Sequence, residues 1–249
     1  MSGHSKWANI KHRKGRQDAA RGKLFTKLIR EITVATRDAG GDDEANPRLR
    51  AAVLNAKSVN MPAANIERAI KKGTGEVEGE SYESAVYEGY GPGGVALFVE
   101  TLTDNRNRTV SEVRHLFTKH NGNMAESGAV GWMFDQKGVI SVPKDVTDEE
   151  TLMTIALDAG ADDLVEGEDE FEVFTPLQSF DLVRKALDEN KVAYTRASLT
   201  RIPQNSVPVE GKVAAQLIRL LEALEDQDDV QNVYANFEID ENELAELTA

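Results

Sequence analysis

Residues 82–103, YESAVYEGYGPGGVALFVETLT, decide how the larger, C-terminal part of this 249-residue chain is interpreted. Two runs rich in β-branched and aromatic residues, 82–90 and 95–103, flank the tetrapeptide GPGG at 91–94. This pattern predicts two strands joined by a tight turn. A strand follows the glycines, whereas a dinucleotide-binding loop is followed by a helix, so the stretch does not predict a nucleotide site.

Downstream of this hairpin, helix starts alternate with apolar runs. Capping motifs that begin at Thr109, Thr147 and Thr175 predict three helices. The runs between them predict strands at 128–134, 138–142, 171–174 and 192–202. Residues 135–202 therefore alternate strand, helix, strand, helix and strand, which is a ferredoxin-like α+β pattern.

Upstream of the hairpin, the sequence predicts three short helices after an extended basic arm over residues 1–20. Apolar residues recur at helical spacing over about 21–39, and two glycines end that run. The predicted second helix begins after Asn46-Pro47, and the third begins at Pro62 and stops at Gly73. Together they predict a small three-helix bundle.

The predicted fold class is α+β, with the last helix and strand completing a layer that the 80–134 segment begins. The prediction has three domains. They are a basic arm with a three-helix bundle over 1–76, a discontinuous α+β domain from 80–134 and 206–240, and a second α+β domain over 135–205 inserted into it.

Charge is divided unequally along the chain. Residues 1–72 hold 16 Lys or Arg against 7 Asp or Glu, whereas residues 73–249 hold 13 against 36. The head is thus +9 and the body −23. A cationic run such as 11–16 repels itself unless a polyanion neutralises it, and nucleic acid is the polyanion that such runs commonly bind. The alternative is a solvated, disordered tail.

We expect the head and two body loops to contact nucleic acid. Arginines and amides beside a helix start, as at 104–108, can contact phosphates or base edges, although a solvent-exposed loop is an equal alternative. The predicted binding residues are Lys6, Trp7, Lys11, His12, Arg13, Lys14, Arg16, Arg21, Lys23, Lys27, Arg106 and Arg108. The predicted loop contacts are Tyr90, Gly91, Pro92, Gly93 and Gly94, for which a plain hairpin turn is the alternative.

Several function classes lack support in the sequence. The chain contains no cysteine and four histidines, and its acidic run at 158–170 lacks EF-hand spacing, so we expect no metal and no cofactor. Neither a signal peptide nor a membrane-length apolar run occurs, so a soluble cytoplasmic protein is expected. No catalytic motif stands out, and an enzyme with a cleft between the α+β domains is a remote alternative.

Several motifs resemble those of the YebC/PmpR family, over most of the chain. They are GHSKW at 3–7, KHRK at 11–14, NMP at 60–62, NIERAIKKG at 65–73, GPGG at 91–94 and TDNRNRT at 103–109. The resemblance implies three domains and no enzymatic activity. Mitochondrial relatives include the translational activator of cytochrome oxidase subunit one.

The resemblance implies two different functions. Bacterial members are described as DNA-binding transcriptional regulators, and other evidence links the family to ribosomes and to relief of stalling at proline-rich stretches. The predicted third helix offers few side chains for base readout, whereas a basic arm with an aromatic residue suits folded RNA. Both functions use the same residues, so the nucleic-acid partner, DNA or ribosomal RNA, stays open, as does the oligomeric state.

Overall fold

The computed structural model describes residues 18–78, 81–167 and 169–248. The chain divides into two compact units, one over 132–205 and one made of the segments on either side. The helical head belongs to the second unit. In the described part of the chain, no helix is both long and apolar enough to cross a membrane.

Three helices form the head: α1 (Asp18–Ala39), α2 (Pro47–Ser58) and α3 (Ala63–Thr74). The predicted cap at Asn46 is confirmed, since its side chain accepts from the Leu49 amide at 3.0 Å. The Asn46 amide group also donates to the carbonyl oxygens of Ala35 and Gly40, at 2.8 and 2.9 Å. One buried asparagine therefore caps α2 and fixes the turn that follows α1. The apolar faces of all three helices meet around Ile32, Leu49, Ala52, Ile66 and Ala69.

The sequence predicts that α3 stops at Gly73, but the helix does not end there. The helix runs one residue further, to Thr74, and Gly75 takes the left-handed conformation at its C-terminus (φ +83°). Gly73 lies where α3 crosses α1: a Cβ there would lie 2.5 Å from the Thr36 Cβ and 2.6 Å from the Thr33 carbonyl oxygen. The glycine is thus required by a close approach of two helices, which its local sequence does not reveal.

The elements after the head follow in chain order. They are β1 (Glu83–Tyr90), β2 (Ala96–Thr103), α4 (Arg106–Lys119), β3 (Asn123–Met124), β4 (Phe134–Pro143), α5 (Glu149–Asp158), β5 (Asp163–Glu166), β6 (Glu170–Thr175), α6 (Phe180–Glu189), β7 (Arg196–Pro203), β8 (Val207–Pro208), α7 (Gly211–Glu225), β9 (Val230–Ala235), β10 (Phe237–Glu238) and α8 (Glu241–Thr248).

The predicted hairpin forms the centre of a four-stranded sheet with the order β3-β1-β2-β9. β1 and β2 pair antiparallel from Glu83 opposite Thr103 to Tyr90 opposite Ala96. β9 comes from the end of the chain and pairs antiparallel with β2. Helices α4 and α7 bury Phe117, Leu217 and Leu220 in the core of this layer.

Residues 132–205 contain a second four-stranded sheet, with the order β5-β6-β4-β7. The element sequence is βαββαβ, the complete ferredoxin-like arrangement. The sequence predicts one strand fewer, because β5 lies in the acidic run at 158–170, whose composition favours a loop. Among the described strands, β5 pairs with β6 alone, and charged side chains are common on such an edge strand.

Several predicted boundaries in the body are wrong. Residues 131–133 form a short 3-10 turn, and β4 begins only at Phe134, so 128–134 is not a strand. Asp148 caps α5, and α6 follows Ser179, so neither Thr147 nor Thr175 is the cap. The sequence predicts one last strand after the last helix, but two strands, β9 and β10, follow α7, and β10 pairs in parallel with β8. The division into three domains at 76, 134 and 205 stays a prediction.

We predict that Gly73→Ala destabilises the protein by about 1–3 kcal/mol, since the added methyl group overlaps α1 and forces the two helices apart. Urea unfolding followed by circular dichroism measures the change. The matched control is Gly22→Ala in α1, where no described atom lies within 4 Å of the new Cβ. This control removes a helical glycine without a clash and is expected to be neutral or stabilising by up to about 1 kcal/mol. Equal effects of the two substitutions would contradict the close-approach explanation.

Candidate nucleic-acid interface

Most of the predicted arm residues lie outside the described part of the chain. Arg21 lies in the first turns of α1, at a position whose side chain is not described. The predicted binding residues outside the described part are Lys6, Trp7, Lys11, His12, Arg13, Lys14 and Arg16. Their contacts with nucleic acid stay a prediction.

Lys23 and Lys27 of α1 contact the end of α7. The Lys27 ammonium group donates to the Glu225 carbonyl oxygen at 2.7 Å. Lys23 donates to the Asp226 carbonyl oxygen at 3.2 Å and lies 3.5 Å from the Asp226 carboxylate. The last carbonyls of a helix have no partner within the helix and attract cations. Two residues that the sequence assigns to nucleic acid therefore also hold the head on the body, although half of the Lys23 side chain stays exposed.

Asp229 is the main polar junction between head and body. Its side chain is 1 % exposed and lies 2.9 Å from Arg30 of α1 and 2.8 Å from Arg108 of α4. It also accepts hydrogen bonds from the hydroxyl groups of Thr109 at 2.7 Å and Thr103 at 3.1 Å. Burial alone would raise the pKa of Asp229, but the hydrogen bonds from Arg108 and Thr109 hold it below its ordinary value. The carboxylate is therefore charged, and both of its oxygen atoms have partners.

An apolar contact and a further arginine reinforce this junction. Val34 of α1 packs with Tyr82 and Leu102 of the body. The Arg30 guanidinium lies 5.2 Å from the centre of the Tyr82 ring, and Arg37 donates to the Tyr82 carbonyl oxygen. The face of α1 that carries Arg30 and Val34 therefore packs against the body. The remaining surface of the head is available to a partner.

Asn105 caps the N-terminus of α4, which corrects the predicted capping motif at Thr109. The Asn105 side chain accepts from the Arg108 amide at 3.1 Å, so residues 106–108 form the first helical turn. Thr109 is buried, and its hydroxyl group donates a hydrogen bond to the Asp229 carboxylate. Asn105 and Thr109 are both residue types that commonly occupy the N-cap position, so the sequence alone does not distinguish them. A carboxylate 120 residues away decides between them.

The two predicted arginines differ in their surroundings. Hydrogen bonds to Asp229 and then to Asp104 raise the pKa of Arg108, so its charge serves the junction. Arg106 is exposed and lies near the Tyr87 hydroxyl group. Arg108 is exposed as well, but its guanidinium group is bound by two carboxylates, whereas Arg106 forms no ion pair with another described residue.

The glycine turn packs largely against its own domain. Gly91 is buried, and a Cβ there would lie 3.1 Å from a methyl carbon of Leu217 in α7. Gly93 has φ +76°, and its Cβ would lie 2.9 Å from Val213. Gly93 and Gly94 are exposed, whereas Pro92 is buried and Tyr90 is half-buried. The turn thus performs the hairpin role that the sequence allows, and its contact with a partner stays a prediction.

The structure does not bring the two predicted loops together. The 91–94 turn precedes β2 and the 105–108 segment follows it. A strand of eight residues separates its ends by roughly 25 Å. Lys23, Lys27 and Arg106 lie toward the second end, where the head meets α4 and the end of α7.

The exposed face of the head carries further cations that the sequence-based prediction missed. Lys57 of α2 and the pair Arg68 and Lys71 of α3 are exposed, and none of them makes an ion pair with another described residue. Arg68 and Lys71 are three residues apart and therefore lie on one side of α3. In contrast, Arg48 is bound by Glu31 at 2.7 Å and Asp38 at 3.0 Å. The positive charge of α3 could have been assigned from its helical spacing.

Comparison with known proteins identifies the family. A model of the TACO1/YebC protein N-terminal domain matches residues 5–76, and a model of the TACO1/YebC second and third domain matches residues 82–237. The chain belongs to the TACO1/YebC family. This confirms the resemblance seen in its sequence motifs.

Relatives of this TACO1/YebC chain match over nearly its whole length. A probable transcriptional regulatory protein of Syntrophobacter fumaroxidans is 60 % identical over 96 % of both chains. One of Geobacter sulfurreducens is 59 % identical over 99 % of this chain and 100 % of its own. The crystal structure of a conserved hypothetical protein from Aquifex aeolicus is 52 % identical, with a TM-score of 0.81 over 90 % of this chain and 92 % of that one. The α+β class with a helical N-terminal domain and two further domains is thereby confirmed.

We predict that Asp229→Asn lowers the free energy of unfolding by about 2–4 kcal/mol at pH 7, since it leaves two arginines without their shared charge. Because the folded pKa lies below the ordinary value of 3.8, the contribution of the carboxylate is complete above that pH. It is lost as pH falls through the folded pKa, so the difference between variant and wild type shrinks there. Urea unfolding at a series of pH values measures this difference.

Asp226→Asn, on a side chain 76 % exposed, is the control and should change stability by less than about 0.5 kcal/mol. A pH-independent difference would contradict the role of Asp229.

We also predict that the two arginines of α4 contribute unequally to stability. Arg108→Ala removes a donor from the buried Asp229 and should cost about 1–2 kcal/mol of stability. Arg106→Ala should leave stability within about 0.5 kcal/mol of wild type, because the side chain is exposed. Thermal unfolding of both variants tests this, and a larger loss for Arg106→Ala than for Arg108→Ala would reverse the assignment.

Proposed function

We propose that this protein is a regulator of gene expression that binds nucleic acid through its basic head and catalyses no reaction. The observation that carries the proposal is the division of charge, +9 over residues 1–72 against −23 over the rest. Such a division attracts polyanions to the basic head and repels them from the acidic body. The names of the relatives, probable transcriptional regulatory proteins, support regulation and describe no enzyme.

The packing of α1 supports a binding surface away from the junction with the body. Arg30 and Lys27 lie on the side of the head that contacts the body, where Arg30 pairs with the buried Asp229. Nucleic acid is therefore assigned to the arm and to the exposed cations of α2 and α3. Phosphate contacts of this kind supply affinity and depend strongly on salt, but they carry little sequence information.

Promoter DNA and ribosomal RNA are both candidate partners. The relatives' names favour DNA and transcription. The composition of α3 favours RNA: of its polar residues, only Glu67, Arg68 and Lys71 and the terminal Thr74 are exposed, while Asn65 and Lys72 are half-buried. That is a small set for reading base edges in a major groove. This observation supports the alternative, in which the protein acts on stalled ribosomes. Its basic arm would then recognise the shape and the phosphates of folded RNA.

Sedimentation separates these partners. If the protein acts on ribosomes, it should travel with them when a cell lysate is run on a sucrose gradient at low salt. If it acts at promoters, it should stay at the top of the gradient and footprint a defined promoter with about 1,000-fold preference over random DNA. A protein that does neither, and that binds no nucleic acid in solution, would contradict the proposed function.

We predict that deleting residues 1–17, which leaves α1 intact, weakens binding to nucleic acid by well over tenfold. The deletion removes Lys6, Lys11, Arg13, Lys14 and Arg16, each of which is a candidate for neutralising a phosphate. On duplex DNA, the slope of log affinity against log salt should flatten by about one for each phosphate that the arm neutralises in the full chain. Fluorescence anisotropy with a labelled oligonucleotide at several salt concentrations gives both values. Unchanged affinity and slope would show that the arm does not carry the binding.

A further inference from the structure

A crevice of about 740 Å³ lies where the helical head continues into the segment that leads to β1. We call it the linker crevice, because its walls come from α1, from the end of α3 and from residues 75–82, which link α3 to β1. Its volume lies within the range of about 300–1,000 Å³ that is typical of sites for small ligands. The wall residues that matter for its chemistry are Arg37, Lys72, Val77, Glu78, Ser81 and Tyr82.

Backbone contacts hold the walls of the linker crevice in place. Gly75 has a left-handed backbone, and the Val77 amide donates to the Lys71 carbonyl oxygen at 3.3 Å, so the linker folds back over the end of α3. On the opposite side, Arg37 of α1 donates to the Tyr82 carbonyl oxygen. The crevice is therefore a built feature of the head and its linker.

Two cations and one carboxylate line the linker crevice. Arg37 pairs with Asp38 at 2.9 Å, but Asp38 also pairs with Arg48 at 3.0 Å, so one carboxylate is shared by two cations. Lys72 and Glu78 line the same crevice, yet neither forms an ion pair with any described residue. The crevice therefore offers positive charge to an anion, and a carboxylate that accepts hydrogen bonds from a donor.

A ligand that matches these walls carries an anionic group together with hydrogen-bond donors. A nucleotide has both, because cytosine, adenine and guanine bear an amino group in addition to the phosphate of the backbone. Arginine and lysine bind phosphate, and glutamate accepts a hydrogen bond from the amino group of cytosine. Val77 and Tyr82 add apolar surface against which a base can pack.

We propose that the linker crevice binds one unpaired nucleotide of a nucleic-acid strand. Arg37 and Lys72 bind its phosphate, and Glu78 accepts a hydrogen bond from the amino group of its base. The inference rests on the proposed function. It assigns a nucleotide within a strand because the residue before Lys72, Lys71, is exposed and can neutralise a neighbouring phosphate.

Such a site gives the head a selectivity that its phosphate contacts lack. The Watson–Crick edge of a base is accessible in loops, bulges and single strands, where the base is neither stacked nor paired. The linker crevice therefore favours unpaired nucleotides over duplex, and bases with an amino group over uracil and thymine. This recognition does not depend on the few polar side chains of α3.

Binding of the full chain to four labelled probes, measured by fluorescence anisotropy at about 0.1 M salt, tests the proposal. The probes are an RNA hairpin with a cytidine loop, the same RNA stem with a uridine loop, a DNA hairpin with a deoxycytidine loop, and a fully paired DNA duplex. We expect wild type to bind a cytidine-loop hairpin more tightly than the uridine-loop hairpin by about fivefold or more.

The decisive variant is Glu78→Ala. It should weaken binding of the cytidine-loop hairpin by about fivefold or more, since the base loses its acceptor, although the variant is less negative than wild type. Glu76→Ala is the matched control, because it makes the same change of charge two residues away and outside the crevice. This control should bind the hairpin as tightly as wild type or slightly more tightly. Both variants should stay within about twofold of wild type on the duplex.

A second pair of variants tests the phosphate contact. Lys72→Gln should weaken binding of the cytidine-loop hairpin by about fivefold or more and leave duplex binding within about twofold. Lys71→Gln, an exposed neighbour outside the crevice, should affect hairpin and duplex to the same extent. Thermal unfolding of all four variants shows whether each of them is folded.

The outcomes separate this inference from the proposed function. A Glu78 effect on the RNA or the DNA hairpin supports the inference and identifies the strand. If wild type binds the probes but Glu78→Ala binds the cytidine-loop hairpins unchanged or more tightly, the nucleotide site is overturned and the function stands. Displacement of the hairpin by an equal concentration of cytidine monophosphate would overturn the assignment to a strand. If wild type binds none of the probes, both proposals fail together.

Discussion

The buried carboxylate of Asp229 is the interaction on which the arrangement of head and body depends. It receives Arg30 from the head, Arg108 and Thr109 from the start of α4, and Thr103 from the end of β2. A buried charge is tolerated only when its hydrogen-bonding capacity is met, so these groups must come together for the fold to close. The same requirement sets where α4 begins and which face of α1 turns inward.

This junction sorts the cations of the protein into two groups. Those on the inward face of α1 satisfy the carbonyl oxygens at the end of α7 and the buried Asp229. Those on the exposed face of α3 have no described counter-charge and are available to a polyanion. A basic sequence therefore serves two purposes, and net charge alone does not distinguish them. The division also explains how a protein of net charge −14 can present a cationic surface on its head.

The sequence predicts well those features that depend on neighbours in the chain. The 82–103 hairpin, the Asn46 cap and the ferredoxin-like order follow from turn residues, capping residues and periodicity. Prediction from the sequence fails where a residue distant in the chain determines the local structure. Thr109 has the sequence pattern of a cap, but its hydroxyl group binds Asp229 instead. Gly73 has the pattern of a helix stop, but it allows the close approach of α1. The structural role of Arg108 is hidden from the sequence for the same reason. The exposed cations of α3 could have been assigned from spacing alone, and the role of the arm residues stays a prediction.

Binding of nucleic acid by the head is the central claim. Ultraviolet crosslinking in living cells, with sequencing of bound DNA and RNA and mass spectrometry of the crosslinked peptides, tests it most directly. We predict crosslinks within the head, residues 1–72, and the sequenced nucleic acid would identify the partner as promoter DNA or ribosomal RNA. Crosslinks confined to residues 132–205, or no crosslinked nucleic acid above the level of a control protein of similar net charge, would contradict it.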